Sequence, residues 1–150
     1  MRDLGNNLTV VQSLAPVVAS GNATTTNSTG VNLVGFEGAV VTVASGVEGD
    51  TLGSSLKYDF KLQHSDDDST YSDCVQAEVT DAAISSGIFL TLDANAETPQ
   101  SSGIGYIGGK QYIRVSVVRT GNHSTGTPLS VNVVKGHPHH AGGASTYSLA

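Results

Sequence analysis

Alternation of apolar and polar residues from Leu56 to Gln63 constrains the fold of this chain more than any other feature. In LKYDFKLQ every second side chain is apolar, which is the pattern of a strand that buries one face in a sheet. An acidic, serine-rich segment follows, and a second strand-like stretch runs from Tyr71 to Val79. We therefore predict a half-buried β-hairpin with an acidic turn.

Other short apolar runs are bounded by Gly, Asp, Asn, Ser or Pro and show no helical period. This arrangement predicts an all-β fold, a single antiparallel β-sandwich or barrel with extended N- and C-terminal arms. A helical turn within the stretch AEVTDAAISSG from Ala77, capped by Thr80 or Asp81, is an alternative. The predicted strands are Val31 to Val34, Ala39 to Ala44, Leu56 to His64, Tyr71 to Val79, Ile88 to Leu92, Tyr112 to Arg119 and Leu129 to Lys135, with a further strand at Leu8 to Gln12.

Composition divides the chain into three parts. Residues 1–30 contain an N-terminal strand or arm and a Thr-rich loop, residues 31–136 form a β-domain, and residues 137–150 form a Gly-rich tail. We expect the β-domain to fold without the two ends. The core predicted from alternation is Tyr58, Phe60, Leu62, Ile113, Val115, Val117, Val131 and Val133.

Charge and hydropathy argue against several classes of partner. The chain has 13 acidic and 7 basic residues, so it lacks the clustered Lys and Arg that neutralise phosphates. The N-terminus is a poor match to a signal peptide, because it contains Asp3 and its apolar run is broken by Pro16. No segment approaches the ~18 consecutive apolar residues that are needed to span a bilayer. We expect a protein that binds neither nucleic acid nor membranes.

Two clusters invite a metal interpretation. Four carboxylates could hold Ca²⁺, which prefers oxygen ligands: Asp66, Asp67, Asp68 and Asp73. The EF-hand pattern fails, because Tyr71 stands where it requires Gly and Ala77 where it requires Glu, so we predict a solvated turn without a required metal. The second cluster is His137, His139 and His140, for which we favour a polar, interface-forming tail.

No catalytic constellation is recognisable. There is no GxSxG elbow, and residues 101–110 lack the spacing of a phosphate-binding loop, so we interpret them as a strand-turn connection. Cys74, the only cysteine, is interpreted as a small semi-buried apolar residue. Aromatic residues make up only 5% of the chain, which weakens a carbohydrate-binding interpretation. We expect neither an enzyme nor a bound cofactor.

Several segments carry a family resemblance. They are FKLQHSDDDSTYSDC at 60–74, IGYIGGKQYIRVSVVRTG at 104–121, VNVVKGHPHHA at 131–141, LTVVQSLAPVVAS at 8–20 and GVNLVGFEGAVVTVASG at 30–46. Together they resemble a family of small head proteins of tailed bacteriophages, encoded near the major capsid protein. The Thr-rich stretch at 23–29 and the residues after Ala141 are longer than that family pattern.

This resemblance implies a virion structural protein, a capsid decoration or cement protein on the outside of the assembled shell. Its partner would be the major capsid protein, and it would be made in the host cytoplasm and form a homo-oligomer on the capsid surface. A head-tail connector or tail protein is the alternative, which copy number would separate. A carbohydrate-binding or host-surface module is less favoured.

Scattered apolar residues near the two termini are candidates for contact with that partner. A free chain would leave them in water, and burial against a neighbour would remove them from it. The predicted partner-binding residues are Leu8, Val10, Val11, Leu14, Val17, Val18, Tyr147 and Leu149.

Overall fold

A computed structural model describes residues 4–139 of the chain. Its strands are β1 (Leu8–Gly21), β2 (Thr25–Asn27), β3 (Val31–Asn32), β4 (Phe36–Ser45), β5 (Lys57–Ser65), β6 (Ser72–Asp73), β7 (Val79–Thr80), β8 (Ile88–Leu92), β9 (Ser101–Tyr106), β10 (Tyr112–Thr120) and β11 (His123–Pro138). Two short 3-10 turns lie at Gln76–Glu78 and Asn95–Glu97.

The strands form two antiparallel sheets. A five-stranded sheet has the order β1-β11-β4-β9-β7. A six-stranded sheet has the order β2-β10-β5-β6, with β3 added on β10 and β8 added on β5. The two sheets pack as a β-sandwich, so the predicted all-β antiparallel fold is confirmed.

The hydrophobic core lies between the two sheets. Every side chain that alternation assigned to the core is buried, with at most 2% of its surface exposed. Residues from the other strands complete the same cluster, among them Val41, Val43, Leu92, Ile104 and Tyr106. The prediction holds for β5, β10 and β11 because each of these strands turns one face toward the opposite sheet.

The N-terminal segment corrects the predicted domain boundary at residue 31. β1 pairs with β11 along its length, from Leu8 opposite Gly136 to Gly21 opposite His123. Its side chains at Val11, Leu14 and Ala19 pack against the core. Residues 8–21 are therefore a strand of the five-stranded sheet rather than an arm outside it.

The irregular pattern of β1 has a structural cause. The pairing with β11 shifts register between Gln12 and Leu14, between Leu14 and Val17, and between Ala19 and Gly21. Each shift changes which face the following side chain occupies, so strict alternation is lost. Pro16 lies within the second shift of this edge strand, where a missing backbone N–H is tolerated.

Three further segments differ from prediction. The predicted strand from Tyr71 to Val79 is divided into β6, a 3-10 turn and β7, and neither Thr80 nor Asp81 precedes that turn as a cap. Residues 101–106, predicted as a connection, form β9 between β4 and β7. At the C-terminal side, β11 continues to Pro138, beyond the predicted boundary at residue 136.

Candidate functional site

The acidic turn between β5 and β6 is built around Asp67. Its Oδ1 accepts hydrogen bonds from Ser65 Oγ at 2.7 Å, from Ser69 N–H at 3.0 Å and from Thr70 N–H at 2.8 Å. The hydrogen bond from Thr70 N–H, followed by those from the two serines, holds the pKa of Asp67 far below its usual range. Asp67 therefore organises the backbone of the turn.

The other three aspartates considered as calcium ligands each have a different protein partner. Asp66 pairs with Lys110, and Asp68 accepts a hydrogen bond from the Tyr71 hydroxyl. Asp73 accepts hydrogen bonds from Lys61 at 2.7 Å and from the Gln63 amide at 2.8 Å. Each of these carboxylates is therefore engaged by a side chain of the protein, and the solvated turn without a required metal stays a prediction.

Changing Asp67 provides a test of the turn. Asp67→Asn keeps an oxygen that can accept hydrogen bonds but removes the charge, so at pH 7 it should melt below the wild type, and Asp67→Ala should melt lower still. Because the folded-state pKa is lowered, this carboxylate stabilises the protein above the unfolded value of about 3.9. That contribution is lost as pH falls through the folded-state pKa.

The Asn variant should therefore lose less stability than the wild type below about pH 4, in melting temperatures measured across pH. Asp93→Asn is the matched control, because Asp93 is an exposed carboxylate outside the turn. Identical pH profiles for Asp67→Asn and the wild type would show that the turn does not depend on this charge.

A second group of ligand-type side chains lies at the same end of the sandwich. His64, Cys74 and Glu78 each place one ligand atom within 4.8 Å of the others. His64 and Cys74 are buried, and Glu78 is partly exposed. His64 Nδ1 lies 3.7 Å from Glu78 Oε1 and 3.1 Å from the Tyr106 hydroxyl.

Three separate elements bring this group together. His64 is on β5 and keeps the inward phase of Phe60 and Leu62. Cys74 follows β6 and donates its backbone N–H to Leu62 O at 3.0 Å, which places it inside the hairpin. Glu78 ends a 3-10 turn, and its Oε2 accepts a hydrogen bond from Val75 N–H at 2.9 Å.

Burial controls the acidity of the neighbouring groups. Burial, with the nearby charges of Glu78 and Asp73, raises the pKa of the Cys74 thiol to about 12. Burial likewise raises the pKa of Tyr106 to about 12, against the hydrogen bond from Lys110 N–H. At neutral pH the Cys74 thiol is therefore protonated and a poor nucleophile.

The sequence-based interpretation missed this group as a site. It included His64 in a strand and treated Cys74 as a semi-buried apolar residue. The alternation did place His64 on the inward face, and that was the available signal. No sequence pattern predicted that Glu78 would lie beside His64 and Cys74, because its position depends on a 3-10 turn in a segment predicted as strand.

The predicted partner-binding residues of β1 divide between its two faces. Leu8, Val10, Val17 and Val18 are exposed. Val11 and Leu14 are half-buried and contact the core, so they are not available on the surface. Tyr147 and Leu149 lie outside the described residues, as does His140.

Exposed apolar side chains continue from β1 across the outer face of the five-stranded sheet. Val10 lies opposite Val134, and Val134 lies opposite Val40 on the next strand. Val10 is 50% exposed and Val40 is 44% exposed, and Val134 between them is half-buried. A groove of about 250 Å³ beside them is lined partly by Leu8 and Ile107. We call Leu8, Val10, Val40, Ile107 and Val134 the outer apolar surface.

Aromatic side chains do not form an exposed platform in the part of the chain that the structure describes. Tyr58 and Tyr106 are buried, and Tyr71 and Tyr112 are half-buried. The Tyr71 ring is covered by the Arg114 guanidinium, whose carbon lies 3.8 Å from the ring centroid. The larger groove, of about 640 Å³, is lined by mixed side chains that include Phe36, Asp66, Lys110 and His139.

The two histidines of the predicted tail that the structure describes are not members of the His64 group. His137 closes the end of β11 with a positive φ of 55°. His139 donates its backbone N–H to Gly35 O at 2.9 Å, and its Nε2 lies 4.0 Å from Glu37 Oε1. Both side chains are exposed.

Comparison with known proteins gives likenesses of overall shape only. No protein-family model and no curated protein matches the chain. A structure of Bacillus endospore appendages, described as disulfide-linked pili, matches with 12% identity and a TM-score of 0.39, over 92% of this chain and 96% of that one.

Two carbohydrate-binding structures also match. The C-terminal family 22 module of Clostridium thermocellum Xyn10B has 16% identity and a TM-score of 0.37, over 96% of this chain and 90% of that one. A xylan-binding domain of the same module family has 17% identity and a TM-score of 0.33, over 93% and 90%. Likenesses this distant carry no argument about function.

A search of residues 4–139 for a helix with the length and hydropathy of a membrane span finds none.

Proposed function

We propose that this chain is a virion structural protein that binds the assembled capsid shell as a decoration or cement protein. The observation that supports the proposal best is the edge strand β1. It is 14 residues long and contains no charged residue. The order of the five-stranded sheet ends at β1, so no strand of the described region pairs with its second edge.

Such an edge is usually protected in a protein that works alone. Charged side chains, short edge strands, Pro and bulges prevent edge-to-edge association. β1 has Pro16 and register shifts, but its first five residues, Leu8 to Gln12, pair regularly with β11. This regular stretch carries Leu8 and Val10 of the outer apolar surface. Burial against a neighbouring protein would remove this surface from water.

A shell protein suits this surface as a partner. Many identical copies on a repeating lattice give high overall avidity, although each contact is small. The major capsid protein would add a strand to the β1 edge, pack on the outer apolar surface, or do both. The partner itself is inferred from the resemblance of the sequence to phage head proteins.

Charged substitutions on the outer apolar surface test the proposal. Val10→Lys with Val40→Lys should keep the melting temperature, because both side chains are largely exposed, but should weaken binding to purified capsids. Full burial of a valine contributes about 1.5 kcal/mol, and about half of each side chain is still exposed, so loss of each contact should weaken binding roughly three- to fourfold. Co-sedimentation with capsids that lack this protein would measure the effect.

Val47→Lys is the matched control, because Val47 is 65% exposed but lies in the connection between β4 and β5. Equal capsid binding by the double variant and this control would contradict the proposed surface. Stoichiometry in purified particles tests the location: hundreds of copies support a shell protein, whereas about 6 or 12 would indicate the connector alternative.

A further inference from the structure

We propose that His64, Cys74 and Glu78 form a binding site for a divalent transition-metal ion, Zn²⁺ in the first instance. The three side chains supply nitrogen, sulfur and oxygen ligands from different parts of the chain. This donor set is one that Zn²⁺ accepts, whereas Ca²⁺ and Mg²⁺ take oxygen ligands. The site is separate from the outer apolar surface and does not depend on the capsid proposal.

The distances suit a small ion after modest side-chain movement. Ligands at 2.0–2.3 Å in a tetrahedral site lie roughly 3.3 to 3.8 Å from one another. His64 Nδ1 and Glu78 Oε1, at 3.7 Å, already have that separation. The full group lies within 4.8 Å, so the remaining pairs would close by about 1 Å.

Neighbouring hydrogen bonds orient two of the ligands. Val75 N–H holds Glu78 Oε2, which leaves Oε1 facing His64. The Tyr106 hydroxyl accepts Lys110 N–H at 3.1 Å and lies 3.1 Å from His64 Nδ1. Imidazole binds metals through an unprotonated nitrogen, so His64 would bind the ion through Nδ1 in the tautomer that carries its proton on Nε2.

Cys74 would bind the ion as a thiolate, because metal coordination removes the thiol proton. With the Glu78 carboxylate in the same cluster, the ion would be held by two anionic ligands and one imidazole nitrogen. With three protein ligands, a fourth position is open to water or to the Tyr106 hydroxyl.

The position of the site indicates a structural role. His64 belongs to the six-stranded sheet, and Glu78 immediately precedes β7 of the five-stranded sheet. Cys74 lies on the chain that crosses between them. A metal ion would therefore connect the two sheets at the point where the chain changes sheet, in the same way that other structural metals link separate segments.

Cobalt titration of the full chain without a histidine tag tests the site. Co²⁺ bound by a thiolate gives a sulfur-to-metal charge-transfer absorption, and Cys74 is the only cysteine, so the band would report this residue directly. We expect the band to saturate at one equivalent and to disappear when Zn²⁺ is added. Absence of the band in the folded protein would overturn the proposal.

Variants identify the other ligands. Glu78→Gln retains an acceptor for Val75 N–H but removes the charge, and it should weaken Co²⁺ and Zn²⁺ binding at least about tenfold. Zn²⁺ at a hundred times its dissociation constant should raise the melting temperature of the wild type by roughly 5 to 10 °C. The Gln variant should lose this rise at the same Zn²⁺ concentration.

Two control variants address the other candidate clusters. Asp67→Asn changes the acidic turn, and a combined change of His137, His139 and His140 to Ala removes the tail histidines. Both should bind Zn²⁺ as the wild type does. Loss of Zn²⁺ binding in either control, with binding unchanged in Glu78→Gln, would overturn the proposal.

Discussion

Deletion of residues 1–21, which removes β1, is expected to abolish the cooperative unfolding transition of the protein. A backbone hydrogen bond contributes about 0.5–1.5 kcal/mol and a buried aliphatic side chain up to about 3 kcal/mol. β1 supplies a ladder to β11 and the core contacts of Val11, Leu14 and Ala19. The combined loss is comparable with the roughly 5–15 kcal/mol that stabilises a typical domain. Thermal and urea unfolding followed by circular dichroism would measure it.

Polar contacts increase the expected cost of this deletion. Ser13 Oγ lies 2.6 Å from Ser28 Oγ, and Thr29 N–H donates to Ser13 O at 2.8 Å. The Tyr58 hydroxyl donates to Ala19 O at 2.7 Å. Deletion would leave partners of these bonds unpaired near the core, which costs more than the bonds contribute.

Deletion of residues 1–7 is the control, because it ends before β1 and should preserve cooperative unfolding. If the protein without residues 1–21 unfolds cooperatively near the wild-type temperature, β1 is dispensable and the sequence-based prediction of an independent β-domain at 31–136 is correct.

The position of β1 in the sheet also determines how capsid binding must be tested. Loss of binding after truncation would report unfolding, so point substitutions are required.

Prediction of the fold from sequence succeeded where one face of a strand is buried along its whole length. In β5, Tyr58, Phe60 and Leu62 face the core at every second position. β10 and β11 follow the same rule. The physical cause is the two-residue repeat of a strand, which no register shift interrupts in the pairing of β5 with β10 or of β11 with β4.

The same reasoning failed for β1, where register shifts break the alternation, and for β9, where close strand packing requires glycine. In β1 the register shifts mix inward and outward side chains, so its core contacts resembled scattered apolar residues. β9 contains Gly103 and Gly105, which are weak strand formers. A Cβ at Gly105 would collide with the Thr80 side chain on β7, so close strand packing requires glycine there. Such a requirement is visible only in three dimensions.

The candidate metal group shows the same limit for function. The inward position of His64 follows from alternation, and a hairpin places Cys74 diagonally across from it. Glu78 joins them only because the chain leaves β6, makes a 3-10 turn and enters the opposite sheet. By contrast, the adjacent aspartates formed an obvious cluster in sequence, yet the folded turn gives each a separate partner.

Phe60→Ala is expected to cause the largest loss of stability among single substitutions in the core. Phe60 is fully buried on β5, where it lies opposite Val117 of β10 and Leu90 of β8. Strands on both sides restrict collapse of the backbone into the cavity, so the loss should reach about 3–5 kcal/mol. The expected decrease in melting temperature is roughly 6 to 20 °C.

Urea unfolding should show a lower midpoint with an unchanged slope, because the native surface stays nearly the same. Phe36→Ala is the matched control, since Phe36 begins β4, is only half-buried and lies beneath the Lys135 ammonium, 4.5 Å from its ring centroid. Its loss should be roughly 1–2 kcal/mol, from partial burial and the cation–π contact. A loss below about 1 kcal/mol for Phe60→Ala would contradict its central position, because a cavity of that size in a packed core cannot be neutral.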